Sequence, residues 1–227
     1  MREKGSRMEH KSLSMADQIF DRLENDILTG TYARGEILTE LGLSEALQVS
    51  RTPVREAICR LAQENLVEMA SRGARVVGIS AEDMQIIYEM RIRIEGMAAR
   101  LACRAASEED LREMKECLDL QEFYCAREDA ANIRETDSRF HALLYRASGS
   151  VHLSSVLSEL HRKTMKYREA SITHKSRAAL SQKEHVAIYE AIAARDQNRA
   201  EAMTVLHVTN ARDSILEEEK DHGTQPC

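Results

Sequence analysis

Four polar residues interrupt the apolar stripes of the second half of this 227-residue chain. Asp137 and His141 are four apart, one turn along a single helix face; His185 shares a face with Ile188, Tyr189 and Ile192; His207 shares one with Met203. A carboxylate and imidazoles in interior stripes must be hydrogen-bonded, paired or bound to a cation. Three neutral imidazole nitrogens and one carboxylate oxygen suit a borderline divalent transition metal such as Zn2+ or Ni2+. A single histidine so placed is ordinarily a satisfied core or surface residue; the set of four points to an ion. His152, His161 and His174 lack that spacing and read as surface or supporting residues.

A second group has the chemistry of nucleic-acid recognition. Val49 to Ala57, Val-Ser-Arg-Thr-Pro-Val-Arg-Glu-Ala, opens a helix. Ser50 or Thr52 is placed as N-cap, Pro53 suits the first helical position, and Val54, Ala57, Ile58 and Leu61 recur at helical spacing. That stripe leaves Arg51, Arg55 and Arg60 off the core. Near a helix start, guanidinium groups reach phosphates and guanine edges in the major groove. The plainer alternative is a solvated basic face.

The elements that must hold these residues surround them. Ile19, Phe20, Leu23, Ile27 and Leu28 describe an amphipathic helix ending at Gly30; a turn runs to Gly35; Leu38, Leu43, Ala46 and Leu47 predict a second, short helix. After the arginine-bearing helix, Leu66 to Met69 and Ala74 to Ile79 predict a hairpin wing about Ser71-Arg72-Gly73. Arg72 and Arg75 flank its glycine, suited to a minor groove or to phosphates, or simply to an exposed charged tip. Ser80, with Asp83 three residues on, caps a run of six predicted helices at 81–105, 108–126, 129–148, 151–170, 177–195 and 197–219. Short connections make them an antiparallel bundle, with Ile86, Ile87, Met90, Ile94, Met97 and Leu101 facing inward. The fold class is therefore mainly α: an N-terminal winged helix-turn-helix of three helices plus a β-hairpin wing over 14–79, then an all-α antiparallel helical bundle over 80–220. Residues 1–13 and 221–227 are expected to be disordered ends.

With 43% hydrophobic and 31% charged residues but only 9 Gly and 2 Pro, the composition is that of a soluble helical protein with short connections. No apolar run approaches the roughly 18 residues of a membrane span, and the charged start lacks a secretory core, so a cytoplasmic protein with no membrane partner is expected. The five cysteines form no CxxC pair and carry no assigned role. The net charge is −6, and its acidity lies mainly beyond Ser80, whereas Val49 to Ile79 carries five arginines against Glu56, Glu64 and Glu68.

Residues from about Ala16 to Ser80 resemble the winged-helix domain of the GntR superfamily of bacterial transcription regulators. The likeness rests on the glycine-bounded turn, Thr39-Glu40, Val49 to Ile58, and the wing from Leu66 to Gly78. It implies DNA contacts from Ser50, Arg51, Thr52 and Arg55, and from Gly73 with its neighbours. Leu41 stands where some members have arginine, and Asn65 replaces the usual glycine before the wing. Residues from Ser80 to about Glu219 resemble the FCD ligand-binding domain of the FadR subfamily: Asp137-Ser138-Arg139-Phe140-His141, Ala147-Ser148-Gly149-Ser150, Glu184-His185 and Ala191-Ile192-Ala193 match its motifs, with Ser150 in place of asparagine. A count of six helices is similar to the VanR branch. The resemblance implies metal ligation by Asp137, His141, His185 and His207. Arg91 matches a family arginine that lines the effector pocket; its alternative is a helix-surface ion pair with Glu95. The expected protein is a homodimeric, non-enzymatic repressor of double-stranded operator DNA, controlled by a small carboxylate effector at the metal. A metal-dependent hydrolase or lyase is the rival, but no general base or nucleophile elbow stands beside the ligand motifs. A purely structural metal is a third reading.

Overall fold

The computed structural model describes residues 14–164 and 175–222. The expected N-terminal arm, the stretch 165–170 predicted to complete the fourth bundle helix, His174 and the tail from residue 223 lie outside the described residues. The chain divides between Ile79 and Ser80 into two compact units.

In the first unit, α1 (Met15–Leu28), α2 (Glu40–Leu47) and α3 (Arg51–Gln63) enclose a core with a sheet of β1 (Ile37–Leu38), β2 (Val67–Ala70) and β3 (Gly73–Val76). Phe20, Leu23 and Ile27 of α1 meet Val54, Ile58 and Leu61 of α3 and Leu66, Val67, Ala74 and Val76 beneath the wing. The strand order is β1-β3-β2, all antiparallel. Leu38 therefore belongs to a strand, opposite Ala74, and not to the second helix. Burial of Leu38 is satisfied equally well from a strand, which is why an apolar period extended one residue too far. Gly73 is demanded by this strand: at φ +146° its added Cβ would stand 2.4 Å from the Leu38 carbonyl oxygen. Asn65 takes the left-handed backbone, φ 59°, at the turn into the wing.

Ser50 is the N-cap of α3, though its side chain makes no capping bond. Arg51, Thr52 and Pro53 thus occupy the first turn. Pro53 sits at the third helical position, where its missing N–H removes no intrahelical bond.

The second unit contains α4 (Ala81–Ala105), α5 (Glu108–Arg127), α6 (Ala130–Ala147), α7 (Val151–Lys163), α8 (Lys175–Ala193) and α9 (Gln197–His222). Capping boxes Ser80/Asp83 and Ser107/Asp110 start α4 and α5. Ser107→Ala, which removes one of these caps, is expected to cost about 1 kcal/mol in chemical denaturation of the full chain. The core draws Ala98, Ala99 and Ala102 from α4, Met114 and Leu118 from α5, Phe140 and Leu144 from α6, Leu157 from α7 and Ile188 and Ile192 from α8. Along α4 and α9 the backbones run close, and a Cβ on Gly96 would lie 2.9 Å from Cγ2 of Val205.

One expectation for α4 is overturned. Ile87 is buried, but Ile86, Met90 and Met97 are 54%, 41% and 45% exposed. The core face is instead Met84, Tyr88, Arg91, Glu95, Ala98 and Ala102. At roughly 100° per residue, positions 86, 90 and 97 fall on the opposite side of the helix, so α4 has two apolar faces. No helix among the described residues is long and apolar enough to cross a membrane.

Candidate metal centre and DNA-reading helix

His141 on α6, His185 on α8 and His207 on α9 converge in the bundle interior, each no more than 3% exposed. Their Nε2 atoms face one another: His185 to His207 is 3.3 Å, and His207 to His141 is 3.3 Å. Asp137 Oδ1 lies 3.7 Å from Nε2 of His185 and accepts from the Ser181 hydroxyl at 3.5 Å. Each Nδ1 faces a polar group outside the cluster. His185 donates to Gln121 Oε1 at 3.0 Å, His207 to Glu184 Oε2 at 2.7 Å, and His141 Nδ1 is 3.4 Å from Glu95 Oε2. A carboxylate or amide oxygen only accepts, so Gln121 and Glu184 place the proton of His185 and of His207 on Nδ1 and leave those two Nε2 atoms bare, while His141 Nδ1 also lies 3.3 Å from the Tyr145 hydroxyl, which can donate or accept.

The donor set can be tested against an ion. Two imidazole nitrogens about 2.0–2.1 Å from one tetrahedral cation stand about 3.3 Å apart, the separation found here. Bare nitrogens at that distance repel each other without a cation between them. Burial holds the His207 imidazole down at about 4, so it is neutral and ligand-competent at pH 7. Burial alone would raise Glu184, but hydrogen bonds from His207 and Arg177 prevail and hold its carboxyl at about 2. The residues fit a divalent transition metal.

Beside this group lies a second buried set. Arg91 is 2% exposed and donates from Nε to Glu95 Oε1 at 2.5 Å and from Nη1 to Thr164 at 3.1 Å; its Nη2 lies 3.4 Å from His161 Nδ1. The Arg91–Glu95 pair thus exists, but in the interior and not on the helix surface. Burial opposes both charges, yet each holds the other ionised. His161 is buried, with its ring centroid 4.5 Å from that of His141, and the Tyr145 hydroxyl lies within 3.5 Å of both imidazoles.

On α3 the exposed residues include Ser50, Arg51, Thr52 and Arg55. Arg55 donates from Nε and Nη2 to the two oxygens of Glu40, at 2.8 and 3.0 Å, and Arg51 Nη2 donates to Glu40 at 3.0 Å. The Arg55 hydrogen bonds are the chief reason that the Glu40 carboxyl is held at about 2. Arg60 is not brought to this cluster. Nine residues from Arg51, it lies roughly 180° around the helix. There it donates to Asp17 at 2.6 Å with its guanidinium 4.0 Å from the Phe20 ring centre. On the wing, Arg72 is exposed, and Arg75 donates to its cross-strand partner Glu68 at 3.0 Å.

Residues 15–77 match the family model described as bacterial regulatory proteins, gntR family, and residues 86–210 match that of the FCD domain. The chain belongs to the GntR family and carries an FCD domain. It is 29% identical over 211 residues to the HTH-type transcriptional regulator YdhC of Bacillus subtilis, covering 90% of this chain and 94% of that protein. It is also 28% identical over 199 residues to the HTH-type transcriptional repressor RspR of Escherichia coli, covering 87% of each. Among solved structures it shares the fold of E. coli McbR/YncC, with a TM-score of 0.76 at 20% identity over 91% of this chain and 99% of that one. A GntR transcriptional regulator from Rhodococcus sp. RHA1 aligns with a TM-score of 0.69 at 25% identity, covering 90% and 99%.

Several residues that shape this GntR-family regulator's two sites escape a reading of the sequence. Gln121, Glu95 and Glu184 orient the imidazoles, and Glu40 holds two arginines. Gln121 follows Met114, Cys117 and Leu118 on the buried face of α5 and is 1% exposed. It interrupts an apolar stripe as Asp137 does, so the same signal was present. The spacing of His161 gives no sign of a place at the cluster, yet the fold carries it to the FCD centre.

Proposed function

We propose that this GntR-family transcription regulator is a cytoplasmic homodimer whose FCD domain senses a small carboxylate at a divalent metal and thereby sets operator affinity. The observation that carries the reading is the convergence of three imidazole Nε2 atoms, two of them, on His185 and His207, bared by an acceptor on the far nitrogen. Asp137, His141, His185 and His207 would hold Zn2+ or Ni2+. Such an ion supplies positive charge and open coordination positions for a carboxylate or hydroxyl oxygen. Arg91, already matched by Glu95, contributes hydrogen-bond donors to an effector and no unbalanced charge; His161 and Tyr145 offer further polar contacts. The carboxylates nearest the ligands are already engaged, Glu95 by Arg91 and Glu184 by Arg177 and His207, and the centre is read as a sensor.

In the same reading, Ser50, Arg51, Thr52 and Arg55 meet one half-site of double-stranded operator DNA, with Arg72, Gly73 and Arg75 at the wing tip. Arg60, engaged with α1, supports the helix from behind. Dimerisation supplies the second half-site. The exposed apolar stripe Ile86, Met90 and Met97, beside the internally paired Glu89, Arg93 and Arg212, is suited to burial against a second copy about a two-fold axis. A monomer mass in sedimentation equilibrium would overturn that assignment. The name of RspR favours repression as the output.

The decisive test is binding to DNA upstream of the protein's own gene at fixed salt, with metal-loaded and chelated protein and a panel of small carboxylic acids. One acid that shifts affinity only in loaded protein supports the sensor. Chelation that lowers the melting temperature, with no acid effective, gives a structural metal. Multiple turnover of any acid by loaded protein gives the hydrolase or lyase.

A further inference from the structure

Glu40 is the first helical residue of α2, and its carboxylate is shared by two guanidinium groups from the next helix. An arginine carries five N–H donors in a planar fork. Glu40 takes the Nε and one Nη2 hydrogen of Arg55. This leaves both Nη1 hydrogens and the second Nη2 hydrogen, the end-on fork, available for another acceptor. Arg51 spends one Nη2 hydrogen on the same carboxylate. The side chains of Arg51 and Arg55 remain 59% and 63% exposed, so the anchoring does not bury them.

What such a pair is good for follows from charge. A phosphate is anionic, and a carboxylate bound beside the arginine repels it, which offsets part of the attraction. A guanine edge is neutral and offers two acceptors, O6 and N7, in the plane of an end-on fork. A carboxylate behind the guanidinium fixes that plane and sets little repulsion against the base. An arginine restrained in this way is suited to a base edge more than to the sugar-phosphate backbone, where a free guanidinium would serve as well.

We propose that Glu40 is a positioning residue for sequence discrimination, turning Arg51 and Arg55 from general phosphate attractors into base readers. The proposal rests on the DNA-reading assignment of α3.

The test uses the full-length protein and two duplexes, one selected by wild-type protein from a randomised pool and one a scrambled sequence of equal composition, across a salt series. Glu40→Gln, isosteric but uncharged, and Glu40→Ala are compared after melting curves show that each is folded. The expected result is a fall of about tenfold or more in the ratio of selected to scrambled affinity. Scrambled binding should strengthen, and the salt dependence should steepen by about one unit in log-log slope. An unchanged ratio overturns the proposal, and so does a parallel loss on both duplexes, which would make Glu40 a support of the fold alone. If the wild-type protein selects no sequence at all, it is the assignment of α3 that fails.

Discussion

His185→Ala is expected to leave the protein unable to retain a stoichiometric divalent ion through gel filtration, as read by elemental analysis. Three structural facts make this the largest single effect at the centre. His185 is fully buried, its Nε2 stands 3.3 Å from that of His207 and 3.7 Å from Asp137, and its Nδ1 is held by Gln121. Removing only an outer hydrogen-bonding partner of a ligand typically costs 10–100-fold in metal affinity; removing the ligand should cost more. The imidazole also stacks on Phe140, with centroids 4.3 Å apart and planes inclined by 23°, so the variant loses packing as well. Gln121→Ala separates the two contributions, because it keeps the stacked ring and removes only its orienting acceptor. Its affinity should fall within the 10–100-fold range. Full metal occupancy of the His185 variant, measured in the presence of a competing chelator, would count against the whole centre.

Arg55→Ala should weaken binding to a specific operator by about 1–3 kcal/mol, with a smaller loss on non-specific DNA. The arginine is exposed on the first turns of α3 and oriented by two hydrogen bonds from one side, so its removal takes away a preset fork and not a mobile charge. Arg60→Ala provides the contrast. Its guanidinium is engaged by Asp17 and Phe20, and the expected loss is in thermal stability, with the ratio of specific to non-specific affinity unchanged. Equal operator affinity for wild type and the Arg55 variant, in a titration at fixed salt, would remove this residue from the reading surface.

These contrasts show what local sequence carries. The helices of the second unit are legible where apolar period and capping residues agree, as Ser80 with Asp83 and Ser107 with Asp110 form capping boxes; those of the first unit are legible from apolar period. The histidines were legible because a polar residue in an apolar stripe is costly. Arg60 joins the other arginines in the sequence because distance from a core stripe does not say which neighbour a helix presents to an off-core residue; in the structure it meets Asp17 and Phe20. β1 left no local signal: it is two residues long and acquires its identity from Ala74 and Arg75 across the sheet. The stripe on α4 was turned the wrong way because that helix has two apolar faces, and periodicity alone does not choose between them. The oriented state of His185 depends on Gln121, 64 residues away, a pairing that exists only once α5 and α8 are packed.

The narrow fit of Gly73 beneath the Leu38 carbonyl also bears on how fast the regulator can work. β1, which leads into α2, pairs with β3, the central strand of the sheet and the second strand of the wing, so the wing is ordered by folding itself. A loose hairpin would have to be immobilised at each encounter with DNA, lowering the fraction of productive collisions. With the wing read as proposed, as a DNA contact, this one arrives already shaped, and the search along a chromosome is spared an ordering step at every trial site.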